Sequence, residues 1–156
     1  MINKKMEQAF NEQIQKEFYS SYLYLAMSVY ADSQNMKGIA HWLKVQHAEE
    51  KEHAEKLVSY LLERGGKVAF QALPAPAAEY GSLIEMFEAV KEHEEYITKS
   101  INELYEAAGA EKDYAAQIFL QWFITEQVEE EASVNEVLDK MKLIGDKSSG
   151  IFYFDK

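Results

Sequence analysis

A chain of 156 residues is long enough for one domain with a sizeable core, and 47% apolar content with only two prolines and seven glycines suits long regular elements rather than disorder. The absence of cysteine excludes disulfides, zinc ribbons, iron–sulfur clusters and rubredoxin-type sites. A formal charge of −11 argues against a nucleic-acid partner, which needs a basic footprint, and is compatible with attracting cations.

The N-terminus, Met1-Ile2-Asn3-Lys4-Lys5, carries no apolar signal core, and no run approaches the roughly 20 apolar residues of a membrane span. A soluble, cytoplasmic protein is expected. The pattern then predicts a first helix over about 4–31, closed by the polar break Asp32-Ser33-Gln34-Asn35. A second helix, about 36–64, ends at Arg64-Gly65-Gly66, where glycine is free to adopt the left-handed cap. The stretch 67–81 contains both prolines, Pro74 and Pro76. Ser82-Leu83-Ile84-Glu85 reads as a capping box opening a third helix over 83–108. A break at Ala108-Gly109-Ala110 precedes a fourth helix over about 111–143, and the tail 145–156, with Ile151, Phe152 and Phe154, holds at most one further short helix. The fold class is all-α, a single domain built as a four-helix bundle.

Link lengths set the topology. The first and third breaks are short, so each helix pair is an antiparallel hairpin. The second link, about 17 residues, can reach ~50 Å when extended, whereas a helix of about 28 residues is only ~42 Å long. That link can cross the whole bundle and leave the second and third helices parallel.

Steps of three and four trace an inward stripe on each helix. They are Phe10, Ile14, Glu17, Ser21, Tyr24 and Ser28 on the first, and Ile39, Leu43, Gln46, Glu50, His53, Leu57 and Tyr60 on the second. The third gives Leu83, Phe87, Val90, Glu94, Ile97, Ile101 and Leu104, and the fourth Leu120, Phe123, Gln127, Glu130, Val134, Val137 and Met141. Every stripe is interrupted by polar or ionisable residues near its middle. The interruptions repeat: Glu17 and Glu94, Glu50 and Gln127, and His53 and Glu130 are each 77 residues apart. Both hairpins thus present a polar residue on one helix and an i, i+3 pair on the next, a two-fold pattern suited to two neighbouring metals.

Glu17, Glu50, Glu94 and Glu130 sum to −4 with no Lys or Arg at matching inward positions, and buried carboxylates either protonate or acquire a cation. Two divalent ions would balance them. Glu50 and His53 lie one turn apart and can ligate one ion together. Carboxylates with one imidazole suit iron or manganese, with zinc as an opportunist, and the oxygen-rich set favours Fe³⁺ over Fe²⁺. A polar layer that merely fixes helix register is the alternative. His41, His47 and His93 fall off the stripes and read as surface histidines. Tyr19, Tyr22, Leu23 and Tyr30 form a second apolar face on the first helix, which points to a further surface to bury and so to a homo-oligomer.

The segments Asn11-Glu12-Gln13, Glu17-Phe18-Tyr19-Ser20-Ser21-Tyr22-Leu23-Tyr24, His47-Ala48-Glu49-Glu50-Lys51-Glu52-His53, Glu92-His93-Glu94, Phe119-Leu120-Gln121-Trp122-Phe123 and Glu126-Gln127-Val128-Glu129-Glu130-Glu131 resemble those of prokaryotic non-haem ferritins over essentially the whole chain. The resemblance implies a ferritin-like four-helix bundle with a long crossover and a short C-terminal segment. It implies that Glu17, Glu50 and His53 hold a first iron and that Glu50 bridges to a second, held by Glu94 and Glu130. Gln127 would lie close enough to hydrogen-bond an oxygen species. Glu49, Glu126 and Glu129, with Glu130 shared, resemble a third iron site on the cavity side. Tyr24 would hydrogen-bond near the centre and, with Trp122, could supply an electron. The implied activity is ferroxidase, with Fe²⁺ and O₂ or peroxide as reactants and a cage of 24 subunits storing ferric mineral. A rubrerythrin-like di-iron oxidase or peroxidase without storage is the alternative. Gln127 and Glu130 stand where bacterioferritin and rubrerythrin relatives carry a second Glu-x-x-His pair, and Lys51 where a bacterioferritin has its haem-ligating Met, so no haem is expected. The tail stops soon after Phe154, shorter than the fifth helix usual in the family, so the family's lining of the four-fold pore does not carry over to this chain.

Overall fold

A computed structural model describes residues 1–145 and Asp155. Four helices follow one another: α1 Lys4–Ser33, α2 Lys37–Glu63, α3 Leu83–Ala110 and α4 Tyr114–Ile144. The expectation for a short helix in the tail concerns residues that, Asp155 apart, lie outside those described. Among the described residues no helix is long and apolar enough to cross a membrane.

Capping chemistry fixes the helix ends. Asn3 accepts from the Met6 amide at 2.8 Å and opens α1, and Ser82 accepts from the Glu85 amide at 3.1 Å and opens α3. Helix α2 closes with Gly65 at φ +75°, its amide and that of Gly66 donating to the Leu62 and Leu61 carbonyls. Helix α2 has no N-cap of its own, and the tail supplies one: Asp155 Oδ1 accepts from the Ile39 amide at 2.7 Å. Gly38 makes that approach possible, since a Cβ there would overlap the Asp155 carbonyl.

The expected break at 108–110 is corrected. Helix α3 runs through Gly109, and the turn falls at Glu111-Lys112-Asp113, with Lys112 left-handed and Asp113 capping the Ala116 amide at 3.1 Å. A Cβ at Gly109 would meet only the amide end of the Gln117 side chain, which can shift, so the helix does not need glycine there. The first break is also shorter than expected. Helix α1 continues through Ser33, and Asn35 takes the left-handed turn residue at φ 61°.

The long link crosses the bundle along α1, which satisfies its backbone groups with side chains spaced four residues apart. Glu7 accepts from the Lys67 amide at 2.6 Å, Asn11 bonds the Lys67 carbonyl at 2.9 Å and the Ala69 amide at 2.8 Å, and Gln15 donates to the Ala72 carbonyl at 2.7 Å. Phe18 packs edge-on to Phe70, and Tyr30 edge-on to Tyr80 while donating to the Gly81 carbonyl. The second apolar face of α1 is therefore partly covered by its own chain. Leu23 joins the core and Tyr30 meets the link, whereas Tyr22 and Val29 stay exposed.

Helix α1 packs closely on α2, α3 on α4 and, more sparsely, α1 on α3, while α2 and α4 face each other across a wider seam. Two apolar clusters fill the core. One gathers Met27, Leu43, Phe87 and Leu138, the other Phe10, Leu57, Ile101 and Phe123. Between them lies a layer of buried polar residues. The inward stripes hold on all four helices with small shifts: Gln46, Tyr60 and Val137 are half-buried, and Leu138 takes the core position beside Val137, as a period of 3.6 requires.

Candidate metal centre

Each helix contributes to the polar layer at the point where its apolar stripe is interrupted. Glu17 comes from α1, Glu50 and His53 from α2, Glu94 from α3, and Gln127 and Glu130 from α4, none more than 9% exposed. The three residue pairs that repeat at 77 positions thus meet in one layer.

Three ligand sets emerge, each with donor atoms within 4.8 Å of one another: Glu17, Glu50 and His53; Glu50, Glu94 and Glu130; and His53, Glu126 and Glu130. Glu50 belongs to the first two and joins them. His53 Nδ1 lies 3.2 Å from Glu50 Oε2, and its Nε2 lies 3.7 Å from Glu130 Oε1. Neighbouring donors fix the carboxylate orientations. Gln13 donates to Glu17 at 3.2 Å, Tyr24 to Glu94 Oε1 at 2.5 Å, and Gln127 to Glu94 Oε2 at 3.2 Å and to Thr98 Oγ1 at 3.0 Å.

Glu17 Oε2, Glu50 Oε1 and both oxygens of Glu130 are buried without a hydrogen-bond partner. An orphaned buried carboxylate oxygen costs several kcal/mol of lost hydration, roughly 2–7 by transfer measurements on neutral polar groups and more for a charge. Among the described residues no lysine or arginine pairs with these groups. Burial pushes the Glu17, Glu50 and Glu130 carboxyls above the usual range. Glu17 and Glu94 push Glu50 further, and Glu50 and Glu94 push Glu130 further. Without metal the layer retains protons; divalent cations can replace them and satisfy the same oxygens. Four carboxylates and one imidazole form a hard, oxygen-rich donor set that fits iron. Burial, and then Glu94 and Glu50, hold the Tyr24 phenol well above its ordinary value, so it remains a neutral donor.

Glu49, Glu126 and Glu129 line the seam between α2 and α4. With Trp42, Gln46 and Ser133 they bound a cleft of about 210 Å³ that reaches Tyr24, Glu94 and Glu130. Glu49 and Glu129 are exposed and Glu126 is half-buried. Of the three, Glu126 alone reaches ligand spacing with the central layer among the described residues. Trp122 stands edge-on to the His53 ring at 5.3 Å, with Lys56 Nζ 3.4 Å above its face.

The surface reading of two histidines is corrected. His93 Nε2 lies 2.7 Å from Ser20 Oγ, and His47 Nδ1 lies 2.8 Å from Ser21 Oγ, both rings being half-buried; His41 is exposed as expected. Sequence reasoning also missed Gln13, Thr98 and Lys56. The available signal was the adjacent Ser20-Ser21, polar and one turn past Glu17.

A family model described as a ferritin-like domain matches residues 7–144, a span holding every residue of the layer. The chain belongs to the ferritin-like family. This ferritin-like chain is 45% identical over 156 residues to a probable bacterial non-heme ferritin-like protein of Haemophilus influenzae, covering 100% of this chain and 94% of that one. It is 43% identical to a bacterial non-heme ferritin of Bacteroides fragilis, covering 99% and 96%. In structure it is similar to a novel open pore ferritin from the archaeon Archaeoglobus fulgidus, with a TM-score of 0.97 and 46% identity over 99% of this chain and 95% of that chain.

Proposed function

We propose that this chain is an iron-storage protein with ferroxidase activity, oxidising Fe²⁺ at the buried layer and depositing the ferric product inside a homo-oligomeric shell of 24 subunits. The observation that carries the reading is the set of orphaned oxygens on Glu17, Glu50 and Glu130, which converge with His53 and Glu94 and, among the described residues, have no lysine or arginine to balance them. Relatives named as non-heme ferritins over the full length support it.

Two Fe²⁺ ions are the substrate. Glu17, Glu50 and His53 would bind one, and Glu50, Glu94 and Glu130 the other, with Glu50 shared. Each ion gives up one electron, and O₂ takes both with two protons to yield hydrogen peroxide; peroxide can serve as oxidant in place of O₂. The carboxylates stabilise the added positive charge. Tyr24 and Gln127 hold Glu94 by both oxygens, so its orientation is set before iron arrives. Ferric product would leave through the seam, where Glu126, with Glu49 and Glu129 beyond it, offers the next carboxylates. These three are our candidates for a third iron position.

Aerobic addition of Fe²⁺ tests the proposal, read as O₂ uptake, a coloured ferric product, particle mass and iron retained per subunit. A particle of about 24 subunits that retains many ions per subunit is expected. Glu50→Ala is expected to abolish fast oxidation, and an unchanged rate in that variant sinks the assignment. A dimer or tetramer that oxidises iron without retaining it would replace storage with a rubrerythrin-like oxidase or peroxidase.

A further inference from the structure

Ser20 and Ser21 sit side by side on α1, one turn past Glu17, and each meets a histidine on a different helix. Ser21 and His47 form a reciprocal clasp. The Ser21 hydroxyl donates to the His47 carbonyl at 2.9 Å, and His47 Nδ1 lies 2.8 Å from the Ser21 carbonyl. A carbonyl only accepts, so Nδ1 carries the proton. The Ser20 hydroxyl donates to the Lys16 carbonyl at 3.0 Å, which leaves its oxygen to accept from His93 Nε2 at 2.7 Å. Both tautomers follow from the network.

The placement of these pairs matters more than their number. His47 stands one turn before Glu50, and His93 directly precedes Glu94. The Ser21–His47 clasp therefore ties the backbone carrying Glu17 to the backbone carrying Glu50. The Ser20–His93 bond ties the backbone carrying Glu17 to the one carrying Glu94. Helices α1 and α3 pack sparsely, and among the described residues Ser20–His93 and Tyr24–Glu94 are the only side-chain hydrogen bonds between them. With so few points of close approach between α1 and α3, these hydrogen bonds set the offset of the two helices beside the layer.

We propose that the two serine–histidine pairs are positioning devices for the metal centre, Ser21–His47 for the Glu17, Glu50 and His53 set and Ser20–His93 for the Glu50, Glu94 and Glu130 set. The proposal rests on the metal-centre reading above. Neither histidine touches an ion; each holds a helix at the offset from which the adjacent carboxylate reaches one.

Anaerobic calorimetry with Zn²⁺ alone on the assembled, metal-free protein tests it, with Co²⁺ substitution to read exchange coupling between the two ions. His93→Leu is expected to weaken one of two binding steps about tenfold or more, the scale seen when outer supports of ligands are lost. The Co²⁺ pair should lose its coupling. His47→Leu is expected to weaken the other step. Rescue distinguishes positioning from general packing. In His93→Gln the amide nitrogen stands where Nε2 did, and in His47→Asn where Nδ1 did, so both are expected to bind two ions as the parent does. If the parent binds two ions and the leucine variants match it, the clamps are overturned. Equal losses in the leucine and amide variants, in step with falling unfolding temperature, overturn them as well. A parent that binds fewer than two ions overturns the metal-centre reading itself.

Discussion

The Tyr24 hydroxyl lies 2.5 Å from Glu94 Oε1 inside the core, a donor held neutral by burial and by the carboxylates it faces. Tyr24→Phe removes it without changing the ring and leaves Glu94 with the Gln127 amide as its remaining side-chain donor. Hydrogen bonds to charged groups contribute about 1.5–3 kcal/mol, and each 1.36 kcal/mol is about tenfold. Stopped-flow oxidation of Fe²⁺ is expected to slow by about tenfold or more, with the fold intact. A rate within twofold of the parent would remove the positioning role of Tyr24.

The raised carboxyls make metal-free stability depend on pH in an unusual direction. Glu17, Glu50 and Glu130 keep protons in the folded chain above the ordinary carboxylate value of 4.5, where the unfolded chain releases them. Their contribution is complete below that value and is lost as pH rises through the higher folded values. Exposed Glu88 and Glu136, held low by Lys142 and Lys140, act oppositely: their contribution is present above 4.5 and is lost as pH falls through their depressed values. Metal-free protein should therefore unfold at a lower temperature at pH 8 than at pH 6. Saturating Zn²⁺ should reverse that order, because binding displaces protons more easily at high pH. Scanning calorimetry at both values with and without Zn²⁺ checks it, and metal-free protein more stable at pH 8 would contradict it.

At the far end of the bundle, Arg64 Nη1 and Nη2 each donate to one oxygen of Asp113 at 3.0 Å, and Asp113 also caps α4. One aspartate thus joins the two hairpins and starts a helix. Asp113→Asn keeps the cap and loses the ion pair, at about 1.5–3 kcal/mol for charge-assisted bonds. Asp113→Ala is expected to cost about 1 kcal/mol more through the cap. Thermal or urea unfolding of both variants gives the difference; identical stabilities would separate Asp113 from the start of α4.

The C-terminal cap makes a parallel forecast. Asp155→Ala is expected to destabilise the chain by about 1 kcal/mol, the ordinary value of an N-cap. Asp155→Asn, whose amide oxygen still accepts from Ile39, should cost little. Urea midpoints of the two variants decide, and equal midpoints would mean that the contact contributes nothing.

The helices were legible because their periodicity is strong, and the buried polar layer because ionisable residues interrupt apolar stripes at one height. Where sequence reasoning went astray, a tertiary contact had decided the outcome. Gly109 reads as a breaker, yet α3 runs through it, and the turn falls where Asp113 caps α4. His47 and His93 lie off the inward stripe because their partners are on α1 rather than on the bundle axis. Glu7, Asn11 and Gln15 look like a solvated face, and only the path of the crossover link shows that they hold it.

Because the carboxylate layer separates two apolar clusters, the metal-free core is discontinuous along the helix axes. Bound ions would act as a rivet through the bundle's waist. Amide hydrogen exchange should then be slowest in two blocks toward either end of the helices and faster midway, the inverse of ordinary fraying. Loading the ions should merge those blocks into one. Such a chain would carry its weakest point at its working centre, and its substrate would strengthen it there.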